Sequence, residues 1–197
     1  MLGEDAIAEA QDPGAWNRQL GRGRRVPAEE CCERQEVGTA SRDRPFSLRS
    51  QFADQWYDLH NPDQTSTPMT VRLTTLRADF PPNLEALKIR HVLLYFVSGN
   101  TAPIEVPVSH LRFTAAAEPG TVGGSATSID GIISTRRGNA GSWTAMITKS
   151  PIGEWELALP NTVEIRNRFG DGSSDQDIDD ILLVITYSGR TPEWPAF

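Results

Sequence analysis

The chain closes on a run that can pack on both faces. Ile181, Leu182, Leu183, Val184, Ile185, Thr186 and Tyr187 lie between Asp179-Asp180 and Ser188-Gly189. β-Branched and aromatic residues bounded by turn formers read as a strand, and the run is short for a helix. Side chains alternate along a strand, so Leu182 and Val184 share one face while Ile181, Leu183, Ile185 and Tyr187 share the other. Such a strand needs cover on both sides. Either it lies centrally in a packed sheet, or one of its faces meets a partner.

The same period of two recurs upstream. Met69, Val71 and Leu73 alternate with Thr70, Arg72 and Thr74; Trp155, Leu157 and Leu159 alternate with Glu154, Glu156 and Ala158. Leu87, Ile89, Leu93, Tyr95 and Val97 mark a long strand ending at Ser98-Gly99-Asn100. Shorter strands are expected at 104–108, 111–114, 128–134, 143–148 and around Val163 and Ile165, with 119–125 a loop. Phe52, Trp56 and Leu59 fall on one face of the only helix expected, which Asn61-Pro62-Asp63 ends. About eight strands between Gly, Pro and Asn turns fit an all-β fold, an antiparallel β-sandwich of jelly-roll type with one short N-terminal helix.

Residues 1–44 read differently. Gly21-Arg-Gly-Arg-Arg25 and Glu33-Arg-Gln-Glu36 bury too little apolar surface to offset ordering entropy, so 1–44 is expected to be a low-order tail and 45–197 the sandwich domain. With 197 residues, 38% of them hydrophobic, the chain supports one real core. A net charge of -7 argues against nucleic acid, which needs clustered Lys and Arg. No apolar run approaches the roughly 20 residues of a membrane span, and Met1 to Ala10 lacks a signal-peptide pattern. The adjacent Cys31-Cys32 suggest neither a disulfide framework nor a metal site.

Catalytic motifs are not evident. Gly120-Thr-Val-Gly-Gly-Ser125 lacks the Lys of a phosphate-binding loop. His60, His91 and His110 are the only histidines, and no nucleophile sits on a strained turn beside one. A non-enzymatic protein without a cofactor is expected. The acidic stretch 171–180 offers Asp171, Asp175, Asp177 and Asp179 as candidate calcium ligands, although its spacing is not that of a helix-flanked calcium loop. Solvated carboxylates that guard the following strand against edge pairing are the plainer reading. Arg136, Arg137 and Asn139, in the turn 136–141, and Trp194 near the end are candidates for contact with a partner.

Phe46-Ser-Leu-Arg49 with Phe52, Trp56, Leu59 and Asn61-Pro62 resembles the opening of the C-terminal domain of the A component of insecticidal toxin complexes. Asp79-Phe-Pro81, Gly153-Glu-Trp155 with Leu157 and Leu159-Pro160, and Asp179-Asp-Ile-Leu-Leu183 leading to Thr186-Tyr187 follow in the same order. The resemblance covers roughly residues 45–190. It implies a β-sandwich without chemistry of its own that docks the B component of the toxin complex, in a secreted or cell-surface setting. A full A component is many times longer and pentameric, so oligomerisation is implied only within a longer A component, and this chain alone cannot form a pore. The alternative is a carbohydrate- or calcium-binding sandwich, in which Trp143, Trp155 or Trp194 stacks on sugar rings.

Overall fold

A computed structural model describes residues 41–61, 69–99, 104–169 and 178–192. Its strands are β1 (Ser41–Ser47), β2 (Met69–Thr75), β3 (Glu85–Ser98), β4 (Pro107–Ala115), β5 (Thr121–Thr127), β6 (Ile132–Ser134), β7 (Gly153–Leu159) and β8 (Ile178–Arg190). They form two four-stranded sheets, ordered β1-β8-β3-β6 and β2-β7-β4-β5. Every pairing is antiparallel. That order is a jelly roll, as the strand spacing implies.

The terminal strand is central. β8 pairs with β1 along one edge (Phe46 opposite Leu183) and with β3 along the other (Leu94 opposite Leu183). Ile181, Leu183, Ile185 and Tyr187 are buried between the sheets with Leu87, Ile89, Val92, Leu94 and Phe96 of β3. From the facing sheet come Met69, Val71, Leu73, Leu111, Phe113, Trp155 and Leu157. Trp155 stacks on Phe113 at 4.1 Å between ring centroids, and its indole N–H donates to Thr75 Oγ1 at 3.1 Å. Thr75 in turn donates to the Pro151 carbonyl at 2.6 Å. The buried Trp155 indole N–H and Thr75 hydroxyl are thereby satisfied.

Helices close one end. Ser47 accepts from the Ser50 amide and caps α1 (Leu48–Gln51). Phe52 then leads into α2 (Ala53–His60), the helix expected from its apolar face. The turn after β2 is held from within: the Arg77 guanidinium donates to the carbonyls of Phe80, Pro81, Pro82 and Leu84.

Several local expectations give way. β1 begins at Ser41, so four residues assigned to the tail pair with β8 and the domain starts ahead of Pro45. The separate strands at 104–108 and 111–114 are replaced by β4, continuous across a register shift between Val108 and Leu111. The expected strand 128–134 is only β6, reached by a two-residue turn with Asp130 (φ 52°) and Gly131 (φ 72°). Residues 143–148 do not form a strand. A 3-10 turn, Gly141–Met146, instead drives Trp143 and Met146, three residues apart, into the core. Val163 and Ile165 belong to α3 (Val163–Asn167), because Thr162 caps a helical turn by accepting from the Ile165 amide.

The glycine-rich stretch expected to be a loop is edge strand β5. Gly123 (φ +123°) passes so close to β4 that an added Cβ would lie 2.0 Å from the Leu111 carbonyl oxygen and 2.7 Å from Met146 Cε. Trp143 Nε1 donates to the Gly124 carbonyl at 2.8 Å, so the 3-10 turn lies directly on these glycines. Gly123→Ala is expected to destabilise the domain by roughly 2 kcal/mol or more, since both the φ and the space reject a methyl group. Denaturant unfolding checks this; an unchanged midpoint refutes the close approach.

Candidate functional site

Each sheet has an outer face, and the two differ in chemistry. On the β2-β7-β4-β5 sheet, cross-strand rows place Arg72, Glu156 and Arg112 side by side, and Thr74, Glu154, Thr114 and Thr121 next to them. Glu156 is the hub. It accepts from Arg72 at 2.9 Å and Arg112 at 3.3 Å, and pairs with His110 Nε2 at 2.9 Å. Arg72, Arg112, Glu156, Glu154 and the threonines beside them line an open polar groove of about 600 Å³. Burial pushes the Glu156 carboxyl upward, but its hydrogen bonds to Arg72 and His110 outweigh this and hold it below its ordinary 4.5.

The outer face of the β1-β8-β3-β6 sheet is apolar at its centre. One row across the strands is Pro45, Val184, Leu93 and Ser134; the next is Ser47, Leu182, Tyr95 and Ile132. Leu182, Val184, Leu93 and Ile132 are half-buried, Pro45 is exposed and Tyr95 is 37% exposed. Ile129, bridged to Ile132 across the Asp130-Gly131 turn, is 54% exposed and extends this strip. The strip ends at a third row of Asp43, Thr186 and His91. There Thr186 Oγ1 donates to Asp43 and accepts from Arg136 Nη2 at 3.2 Å. Arg90, at the register shift of β3, donates to Ser188 Oγ at 2.8 Å. Burial, then the Arg136 charge, hold the His91 imidazole below its ordinary 6.5, so it is neutral at pH 7.

The residues singled out from the sequence separate accordingly. Arg136 and Arg137 are exposed, and only Arg136 reaches across the outer face. Asn139 turns inward: its amide accepts from the Ser134 N–H at 2.9 Å and donates to the carbonyls of Ile132 and Thr127 at 2.8 and 3.2 Å. It stitches the turn from within. Asp179 is half-buried at the start of β8 and its carbonyl accepts from Arg49. Asp180 caps α1, accepting from Ser47 Oγ at 2.6 Å and the Arg49 amide at 2.9 Å. Asp171, Asp175, Asp177 and Trp194 lie outside the described residues, as does the His60 side chain. Among the described residues no group of three or more His, Cys, Asp or Glu could hold a metal ion.

Trp143 and Trp155 are both buried in the core and unable to stack on a sugar. The sequence did not single out Tyr95, Leu93, Leu182 or Val184 as surface residues. The signal was present in the terminal strand, whose even-numbered apolar residues had no assigned cover. No helix among the described residues is long and apolar enough to cross a membrane.

No family model and no curated protein matches the chain. Among solved structures it is similar to a chain in a cryo-EM structure of Yersinia pseudotuberculosis TcaA-TcaB, at 16% identity and a TM-score of 0.44. The match covers 81% of this chain and 10% of that one, so the chain spans about a tenth of the length of the protein it matches.

The depressed Glu156 carboxyl gives a pH signature. Its folded-state value lies below 4.5, so its contribution is complete above the unfolded value and is lost as pH falls through the folded one. Chemical denaturation from pH 6 to pH 3 is expected to lose about 1 kcal/mol through this group. In Glu156→Gln that component of the slope is absent; an identical profile in both proteins refutes the assignment.

Proposed function

We propose that the domain is a non-catalytic protein-docking module of the toxin-complex type, engaging the B component of such a complex. The observation that carries this reading is the apolar strip of Leu93, Tyr95, Ile132, Leu182 and Val184 on the outer face of one sheet, uncovered among the described residues. An apolar centre with aromatic and Arg residues at its margin has the composition of a protein interface. The order of motifs from Phe46 to Tyr187, which resembles the A-component C-terminal domain, supplies the partner. That setting makes the protein part of a secreted or cell-surface assembly with no cofactor.

Binding of the full chain to purified B components by biolayer interferometry tests the proposal. Saturable binding at micromolar or lower Kd is expected. A folded chain that binds none of them at tens of micromolar rules the role out. Calcium is expected to leave the melting temperature unchanged. A rise at millimolar calcium would instead favour an ion-binding sandwich, since a ligand at 100 times its Kd adds about 2.7 kcal/mol.

A further inference from the structure

The apolar strip and the cations at its end form one surface, and their combination specifies what can cover it. Along β8, Thr186, Val184 and Leu182 point the same way, two residues apart. The row holding Thr186 and the row holding Leu182 are therefore separated by roughly 14 Å. Arg136 and Arg90 sit at the Thr186 end, each bonded through one guanidinium nitrogen to a hydroxyl of β8. Among the described residues neither guanidinium has a carboxylate within ion-pair distance. The one carboxylate in that row, Asp43, meets Arg136 only through the Thr186 hydroxyl that both share. Arg112 and Arg72 on the opposite sheet, by contrast, share direct ion pairs with Glu156.

A chain of net charge -7 thus presents, beside its apolar strip, two guanidiniums that lack a direct ion pair among the described residues. Their remaining N–H groups form forks suited to a carboxylate. We infer that the outer face of the β1-β8-β3-β6 sheet docks a partner protein segment in which carboxylates flank apolar side chains. Arg136 and Arg90 receive the carboxylate, and Val184, Leu93, Leu182 and Tyr95 receive the apolar residues. The inference deepens the docking reading and rests on it only for the identity of the partner.

Two measurements test the face separately from the partner. In the first, the full chain is titrated by NMR with an octapeptide of alternating Glu and Leu, and with its Lys-Leu counterpart. The acidic peptide is expected to bind at least ~10-fold more tightly, with shifts confined to residues around Leu93, Tyr95, Ile132, Arg136 and Val184. In Arg136→Glu the preference is expected to reverse, a response that loss of fold cannot produce. No preference, or shifts on the Glu156 face, overturns the inference. In the second, B-component binding is compared between wild type, Arg136→Glu and Leu182→Thr, with Val163→Glu on exposed α3 as a control for added charge. A loss of at least ~10-fold in the first two variants alone supports the face. Binding unaffected by them keeps the docking role and overturns the face. Selective capture of the acidic peptide by a chain that ignores every B component keeps the face and removes the toxin-complex role.

Discussion

The pairing of β8 along both of its edges is the constraint on which the sandwich depends. Its backbone donors and acceptors are consumed by β1 on one side and β3 on the other. An unpaired backbone group at such a depth costs on the order of 1–3 kcal/mol. A strand buried to this extent therefore cannot lie at an edge. Once it is central, its odd-numbered residues must face the other sheet, and Ile181, Leu183, Ile185 and Tyr187 do so. A slip of one residue would turn Leu182 and Val184 inward and expose Ile181, Leu183, Ile185 and Tyr187, so burial fixes the register.

β1 shows how the resulting edge is protected. Its exposed residues are Ser41, Arg42, Asp43 and Pro45, a poor template for another strand. Arg44 points toward the core side opposite Ile185, and its guanidinium lies 5.2 Å from the Phe46 ring centroid. An inward-pointing charge at an edge obstructs a second sheet from extending the first. The residues that blunt the edge also hid the strand: with Phe46 its only fully buried side chain, β1 carries no period-two signal.

Legibility in the sequence followed from how a segment is held. Strands that bury one face, such as β2 and β7, wrote alternation directly into their residues. Segments held by something other than burial misled. The W-T-A-M-I alternation at 143–147 satisfies period two, yet Trp143 and Met146 reach the core at a spacing of three. Thr162 overrode the alternation of Val163 and Ile165 with a single capping hydrogen bond. Gly123 and Gly124 read as loop because they lack side chains, when that lack is what lets Leu111 and Trp143 approach β5. The site was half legible. Arg136 stood out as a charged turn, but its reach to Thr186 is a tertiary fact spanning 50 residues.

The two outer faces solve the same problem in opposite ways. On the β2-β7-β4-β5 sheet, Glu156 sits between Arg72 and Arg112 with His110 beside it, so attraction across neighbouring strands satisfies the face internally. A partner there would have to break those pairs before forming its own. On the β1-β8-β3-β6 sheet the central rows are aliphatic and aromatic, and apolar surface has no comparable way to satisfy itself in water. Each additional Å² covered contributes about 25 cal/mol. The guanidiniums at the margin keep N–H donors beyond the single bond each makes to a β8 hydroxyl, open to an incoming acceptor. The sheet that carries the apolar terminal strand is thereby the one left with something to gain from association.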